Sequence, residues 1–340
     1  MKANAGSLTY NMSLPGTGVP ADVDFGGLKF LRNSCPNGLQ PQVLTEAEGD
    51  YLRLCVQKDA YLAATDGEPS ERDRCELRDS KVKLGTAGEY SFDLRIEKPF
   101  PIVDARLVVA QIKAPYYDGD GGSPLFALRF ERGNYFATVE HLYETKDVEF
   151  KDGKEISKYL TSFDGRSCST GSARAFDHHF FGNSIADAKE LQIRAIFATN
   201  GLPLPDFVEE QFSLCTSGVK VEAYEDLPQT PYEWHRFRLC VAPTKVKDYA
   251  GIVELYVSKP NGSESRLVAR ATGEFGHRGY EDPEHNTGPI PSEAYQYFKV
   301  GPYRDKVRLW GSDPVAIHVR NISRRAWPEG ERFHSQAVMV

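Results

Sequence analysis

The sequence predicts an all-β protein: a β-jelly roll in which two antiparallel sheets pack face to face and one sheet forms a concave groove. Two observations predict this fold. The dominant hydrophobic period along the chain is two residues, which is the spacing of side chains on one face of a strand. The alternating segments are short and are separated by turn sequences, with no strand–helix–strand rhythm.

Each predicted strand is an alternating run bounded by turn residues, as in DGDGG, ERGN, KDGKE, KPNGSE and EHNTGP. Two long irregular stretches, 160–183 and 276–294, interrupt the pattern, and loops of this length are often functional. In chain order, the predicted strands are 51–57, 74–78, 89–97, 106–113, 125–131, 135–143, 191–198, 234–242, 251–259, 265–275, 295–301, 306–311 and 315–322.

The 340 residues predict a single domain over 1–340, with its core at about 20–325. Hydrophobic residues make up 40% of the chain and aromatic residues 11%, which is enough for a large core. The formal charge of −7 argues against nucleic-acid binding, and no apolar run is long enough to span a membrane. We expect a monomer.

The first residues, MKANAGSLTY, lack the apolar segment of a signal peptide. We expect a secreted or periplasmic protein whose signal has been removed, and the alternative is a cytosolic protein. Six cysteines lie far apart without a CxxC pair, which argues against a zinc site. Cys55, Cys75 and Cys240 lie in strand-like runs and are predicted to be buried thiols, although an even number also permits disulfides.

The segment YFKVGPYRD indicates a strand with one apolar face and one functional face. Phe298 and Val300 point one way, whereas Tyr297, Lys299 and Tyr303 point the other. Any one such face is typical of a solvated strand, but several together in an acidic protein suit an extended anionic chain. The residues predicted on corresponding faces of other strands are Arg72, Arg74, Glu76, Arg78, Gln111, Lys113, Arg129 and Glu131.

The run RLVVAQIK is predicted as one regular strand. Uninterrupted alternation places Leu107 and Val109 on the same face as Gln111 and Lys113. The same alternation places Val108 behind, together with the other apolar residues of the run.

Three sequence blocks resemble the pattern of jelly-roll polysaccharide lyases, which share a concanavalin-like sandwich. They are Arg74-Cys-Glu-Leu-Arg78, Gln111-Ile-Lys113 and Tyr297-Phe-Lys-Val-Gly-Pro-Tyr303, in that order. Versions of them occur in jelly-roll alginate lyases, glucuronan lyases and heparin lyase I-like enzymes. The closing YFKVGPYRD, with Arg after Tyr, is more similar to the glucuronan and heparin lyase I-like group. The likeness is loose over about 20–325 and tight over about twenty residues.

This resemblance implies β-elimination at a uronate, which leaves 4,5-unsaturated uronate ends. A base removes the C5 proton, an acid protonates the departing O4, and cations stabilise the enolate-like intermediate. By resemblance, Tyr303 is the base, the acid or both. Gln111, Lys113 and Arg78 neutralise the C6 carboxylate, and Lys299 tunes Tyr303.

Five further residues are predicted to bind substrate along the groove or at its edge. They are Arg74, Arg129, His141, Tyr297 and Arg304. No cofactor is expected for the chemistry. Related lyases often hold a structural calcium ion, so Ca²⁺ stays an open expectation without assigned ligands. The sequence YYDGDGG around Asp118 and Asp120 lacks EF-hand spacing and is interpreted as a turn.

The chain departs from the family pattern at Lys113, where related enzymes often have His. A charged lysine does not act as a base, whereas it strengthens carboxylate binding. In glucuronate and mannuronate, H5 and O4 lie on the same side, so one tyrosine can serve as both base and acid. The departure therefore favours syn-elimination by Tyr303.

Glucuronan is the first predicted substrate, followed by mannuronate-rich alginate and then a glycosaminoglycan or a bacterial exopolysaccharide. The alternative from another class is a non-catalytic, lectin-like carbohydrate-binding module, because fold alone does not separate the two. The Tyr303, Gln111 and Lys113 combination favours the enzyme, since a lectin needs no such set. The paired acids of a glycoside hydrolase are not evident in the sequence.

Overall fold

Strands dominate the structure, as the two-residue hydrophobic period predicts. The coordinates are those of a computed structural model. The described residues are 8–10, 22–25, 28–33, 41–56, 73–83, 86–101, 107–113, 124–144, 148–151, 154–157, 175–180, 190–201, 219–242, 251–260, 264–273, 295–304 and 313–326.

The described residues form 22 strands. In chain order they are β1 (Leu8–Tyr10), β2 (Asp22–Phe25), β3 (Leu28–Asn33), β4 (Gln42–Glu46), β5 (Gly49–Val56), β6 (Asp73–Arg74), β7 (Glu76–Arg78), β8 (Val82–Lys83), β9 (Gly88–Ile96), β10 (Leu107–Lys113), β11 (Pro124–Glu131), β12 (Asn134–Glu144), β13 (Val148–Lys151), β14 (Lys154–Ser157), β15 (Ala175–Phe180), β16 (Glu190–Thr199), β17 (Val219–Ala223), β18 (His235–Ala242), β19 (Gly251–Ser258), β20 (Arg266–Gly273), β21 (Tyr295–Arg304) and β22 (Val315–Ala326).

Two antiparallel sheets contain most of these strands, so the predicted all-β jelly roll is confirmed. The twelve-stranded sheet has the order β1-β2-β3-β7-β21-β10-β11-β12-β16-β15, with β6 and β8 also paired to β21. The eight-stranded sheet has the order β17-β20-β19-β18-β9-β22-β5-β4, and β13 and β14 form a separate hairpin. Among the described residues, no helix has the length and apolarity needed to cross a bilayer.

The hydrophobic core lies between the two sheets and receives the apolar faces of their strands. Phe298 of β21 joins the sheets, because its ring lies 5.0 Å from Tyr90 and 5.4 Å from Phe92 of β9, measured between ring centroids. Val300 is buried in the same cluster. Since neighbouring side chains alternate, the odd-numbered residues of β21 project from the opposite face, which we call the site face.

A β-bulge in β10 corrects the predicted facing of that strand. The register shifts between Val108 and Ala110 relative to both neighbouring strands. Leu107 and Val109 consequently join the hydrophobic core, instead of sharing the face of Gln111. Relative to β11, β10 has one extra residue here, which reverses the alternation. Relative to β21, the extra residue lies in β21, and Val108 lies opposite Tyr303.

Other departures from the prediction have local causes. The stretch 160–183 was expected to be irregular, yet Ala175–Phe180 forms β15, whose sequence AFDHHF lacks clean alternation. The predicted strand 306–311 lies outside the described residues.

Cys75 is disulfide-bonded, which corrects its prediction as a thiol, whereas Cys55 and Cys240 are confirmed as free and buried. The partner of Cys75 lies outside the described residues.

Candidate active site

Strands β7, β21, β10 and β11 lie side by side in this order, so sequence-distant segments meet on the site face. Arg78 of β7 pairs with Lys299 of β21, and Lys299 pairs with Gln111 of β10. We call these three residues the central row. Directly opposite side chains on antiparallel strands have Cβ atoms about 5 Å apart. The three sequence blocks therefore converge at one place on the sheet.

Glu76 of β7 joins two members of the central row through its carboxylate. The Nε2 atom of Gln111 donates to Oε1 of Glu76, and Nζ of Lys299 donates to Oε2 over 3.3 Å. Glu76, Gln111 and Lys299 are only 1%, 2% and 3% exposed, respectively. An ion pair and a hydrogen bond shielded in this way are stronger than the same contacts in water.

Glu76 was predicted on the same strand face as its neighbouring arginines, but without a functional role. The available signal was its position within Arg-Cys-Glu-Leu-Arg, where Glu76 alternates with Arg74 and Arg78 on the site face. A carboxylate among cations on a face that also carries Lys and Gln predicts an ion pair. Only the strand order identifies Lys299 and Gln111 as its partners.

Tyr303 lies beside Arg74 in a second row across the sheet. Tyr303 pairs with Arg74 of β6 on one side and with Val108 of β10 on the other, and Val108 pairs with Arg129 of β11. The guanidinium carbon of Arg74 lies 5.0 Å from the centroid of the Tyr303 ring, which is cation–π distance. Tyr303 and Arg74 are both partly exposed, so a ligand can reach them.

The structure does not bring Lys299 to Tyr303 as the sequence predicted. The two residues are four positions apart on β21, which corresponds to about 13 Å along a strand. The ammonium of Lys299 is instead bonded to Glu76. Within the described residues, the cation at contact distance from the Tyr303 ring is the Arg74 guanidinium.

Two cations surround the Tyr297 ring on the other side of the central row. The Arg78 guanidinium carbon lies 5.5 Å from the ring centroid, and Nζ of Lys299 lies 5.6 Å from it. Lys113 pairs with Tyr297 across the β10–β21 ladder and is partly exposed. The Nε atom of Arg78 is buried and makes no hydrogen bond to any described residue, whereas the residue as a whole is partly exposed.

Three residues predicted to bind substrate are enclosed by protein. Arg129 is 1% exposed and donates from Nε to Oγ1 of Thr138 over 3.1 Å. Tyr297 is 2% exposed, and Arg304 is fully buried. Because Arg304 directly follows Tyr303 on the strand, alternation turns it away from the site face. Among the predicted site residues whose side chains the structure describes, Arg74, Arg78, Lys113 and Tyr303 are partly exposed.

Gly301 allows β21 to lie unusually close to the segment that carries Glu76. Its φ is +142°, a conformation that favours glycine. A Cβ atom there would lie 2.2 Å from the backbone oxygen of Cys75 and 2.6 Å from Cα of Glu76. The Cys75 N–H donates to the carbonyl oxygen of Pro302 over 2.9 Å. The glycine therefore sets the spacing between β21 and the Arg-x-Glu-Leu-Arg block.

His141 lies on β12, as predicted, where it pairs with Ile193 of β16. Its side chain lies outside the described part of the structure. The same holds for Asp118 and Asp120, so the interpretation of that segment as a turn stays a prediction. No cluster of three His, Cys, Asp or Glu side chains suited to a metal ion occurs within the described residues.

Comparison with protein families points to one class of enzyme. A family model described as "Polysaccharide lyase" matches residues 24–323. A search of curated protein sequences found no match. Since the family model spans most of the chain, the protein belongs to the polysaccharide lyase family and is an enzyme of that class.

Solved structures of alginate lyases are also similar to the chain. The alginate lyase from Klebsiella pneumoniae is 12% identical, with a TM-score of 0.45 and coverage of 96% of both chains. An exolytic alginate lyase from Zobellia galactanivorans is 12% identical, with a TM-score of 0.43 and coverage of 88% of this chain and 91% of its own. An alginate lyase from Pseudomonas aeruginosa is 14% identical, with a TM-score of 0.38 and coverage of 94% and 98%.

Proposed function

We propose that this polysaccharide lyase cleaves a uronate-containing polymer by β-elimination on the site face. One observation carries the proposal. Tyr303 and several cations on the site face are partly exposed, and they surround Lys299 and Gln111, the two buried members of the central row. A polysaccharide chain laid across this face meets a phenol and several positive charges. These are the groups that removal of a proton next to a carboxylate requires.

Neutralisation of the C6 carboxylate is the first chemical requirement. The C5 proton becomes removable only when the negative charge that develops on the carboxylate is stabilised. Arg78 supports this role through its partial exposure on the site face. Lys113 is a second partly exposed cation and lies opposite Tyr297, next to the central row. Gln111 lies in the central row with Arg78 and carries a neutral amide donor.

Tyr303 serves as base and then as acid. Its phenolate oxygen takes the C5 proton, and the electron pair of the C–H bond forms the C4–C5 double bond. The C4–O4 bond breaks, and the same phenol returns the proton to O4, which restores the phenolate. This sequence requires H5 and O4 on one side of the ring, as in glucuronate and mannuronate, and Lys113 in place of His supports it.

The proposed substrate is glucuronan. Mannuronate-rich alginate is the second candidate, and glycosaminoglycans and bacterial exopolysaccharides follow. The support is the YFKVGPYRD block, which resembles the glucuronan and heparin lyase I-like enzymes, together with a lysine at 113. Both uronates place H5 and O4 within reach of a single tyrosine.

Ultraviolet absorbance over time tests the proposal, because the unsaturated product absorbs and the substrate does not. Wild type is incubated separately with polyglucuronate, polymannuronate, polyguluronate, hyaluronan and heparin. Tyr303→Phe removes the proton-transferring oxygen, and we expect its kcat to fall at least about 100-fold. Tyr224→Phe is the matched control, since Tyr224 is 50% exposed on the eight-stranded sheet and bonds Glu222. The control is expected to keep wild-type kcat.

Three outcomes would contradict specific parts of the proposal. Cleavage of polyguluronate alone would rule out syn-elimination at glucuronate or mannuronate. Full activity of Tyr303→Phe would remove Tyr303 as base and acid. Binding to a polymer without any rise in absorbance would favour a carbohydrate-binding role for this chain on the polymers tested.

We also propose that the protein acts in an oxidising compartment, as a secreted or periplasmic monomer. The disulfide at Cys75 supports this location, because such bonds persist outside the reducing cytosol. Light scattering of the purified protein tests the monomer, and fractionation of source cells tests the location.

A further inference from the structure

Glu76 is a fully enclosed carboxylate whose two oxygens have different partners. Oε1 accepts from Nε2 of Gln111, and Oε2 accepts from Nζ of Lys299 at 3.3 Å. The three side chains come from three adjacent strands, β7, β21 and β10. Each is at most 3% exposed, so water does not compete for these contacts.

The contact with Glu76 fixes which way the Gln111 amide faces. An ionised carboxylate only accepts hydrogen bonds, so it must meet the NH₂ group of Gln111 and not its carbonyl oxygen. One N–H of Gln111 is used by Glu76, and its second N–H is oriented by the same bond. The amide is therefore held as a donor at a set position in the central row.

The same carboxylate balances the charge of Lys299. An ammonium bonded to a buried carboxylate contributes little net charge to a ligand above it. The net positive charge in the central row then comes from Arg78, which is partly exposed. This assigns carboxylate neutralisation to Arg78 in preference to Lys299.

We propose that Glu76 is a positioning residue for the elimination reaction. It orients the Gln111 amide as a donor and neutralises Lys299, so that the partly exposed Arg78 supplies the net positive charge where the negative charge of the uronate carboxylate develops. This inference rests on the proposed function. It predicts that loss of Glu76 lowers kcat much more than it raises KM, because the oriented groups act mainly on charge that appears in the transition state.

The chain offers a matched control on the other sheet. Glu254 is also fully buried, accepts from one cation, Arg270, over 2.8 Å, and accepts from one neutral donor, the Tyr256 hydroxyl, over 2.8 Å. Glu76→Gln and Glu254→Gln therefore remove equivalent buried charges. Both variants are expected to lower Tm, and only Glu76→Gln is expected to lower kcat, by at least about 10-fold with KM within about twofold.

A swapped pair separates positioning from folding. Glu76→Gln/Gln111→Glu keeps one carboxylate and one amide beside Lys299, so the buried cation stays paired and Tm is expected to exceed that of Glu76→Gln. The donor at position 111 has become an acceptor, so kcat is expected to stay low. Steady-state absorbance assays on the polymer that wild type cleaves best measure both variants.

Four results would overturn this inference alone, and a fifth would overturn the proposed function as well. Wild-type kcat in Glu76→Gln, equal losses of kcat in Glu76→Gln and Glu254→Gln, or recovery of kcat in the swapped pair would each overturn the inference. A change in KM alone would do so as well, since it would indicate ground-state binding. Wild-type protein that cleaves none of the polymers would overturn the proposed function, and this inference with it.

Discussion

Residues that share one strand face have different chemical roles because their partners differ. On β21, Lys299 is enclosed and paired with Glu76, whereas Tyr303 is partly exposed beside the guanidinium of Arg74. A paired, buried ammonium stabilises the site, and an accessible phenol next to a cation suits proton transfer. The proposed mechanism therefore relies on Tyr303 for chemistry and on Lys299 for structure.

Gly301→Ala tests the close approach of β21 to the Glu76 segment. The added Cβ meets backbone atoms of Cys75 and Glu76, so we expect a loss of about 3 kcal/mol or more in the free energy of unfolding. Urea denaturation measures it. Gly49→Ala is the control, because Gly49 has a φ of +116° but open space at the Cβ position. Its expected loss is about 1–2 kcal/mol. Equal losses in the two variants would contradict the close-approach argument.

At the scale of elements, a bulge and a tight strand contact place the site residues. The register shift between β10 and β21 brings Val108 opposite Tyr303 while Gln111 stays opposite Lys299. The eight-stranded sheet carries polar clusters as well, on β5, β9 and β22. There His318 accepts at Nδ1 from Arg95 over 2.8 Å, and its Nε2 lies 2.6 Å from Glu97. Arg53 also donates to Glu97, over 2.6 Å.

Because of the cluster around His318 and Glu97, we expect the free energy of unfolding to fall in acid. Burial lowers the pKa of His318, so the unfolded chain binds its proton more readily and stability falls as the pH drops below about 6.5. The hydrogen bond from Arg53 lowers the pKa of Glu97, so its contribution is present above the unfolded value and is lost at lower pH. Protonation of His318 and protonation of Glu97 therefore both lower the free energy of unfolding as the pH falls.

His318→Gln isolates the histidine, because an amide also accepts from Arg95 and donates to Glu97 without titrating. Urea denaturation from pH 7 to pH 5 is expected to show a smaller fall in unfolding free energy for His318→Gln than for wild type. An identical fall in the two proteins would show that His318 makes no contribution.

At the scale of the whole molecule, the two sheets divide the tasks. The twelve-stranded sheet carries the candidate active site, and the eight-stranded sheet supplies the other half of the core through residues such as Phe92 and Phe237 of β9 and β18. The disulfide at Cys75 lies between Arg74 and Glu76 and ties the site segment to the rest of the chain. Its loss should therefore affect both stability and turnover.

Cys75→Ser is expected to lower the free energy of unfolding by about 2–5 kcal/mol and to reduce the response to dithiothreitol. Denaturation with and without the reductant measures the stability and its response to reduction. The absorbance assay measures the turnover of the same variant. Cys240→Ala is the control, because Cys240 is a free thiol whose pKa is raised by burial. Its response to reductant is expected to match wild type. An undiminished response in Cys75→Ser would contradict a stabilising disulfide there.

The sequence by itself determined the all-β class, most central strands and the polar face of YFKVGPYRD, because two-residue alternation is a local property of each strand. Strand order, the β10 bulge, the pairing of Glu76 with Gln111 and Lys299, and the enclosure of Arg129 and Arg304 were decided by the tertiary structure. They depend on contacts between residues far apart in sequence. Alternation says which way a side chain points, whereas only the packed sheets decide what it meets there.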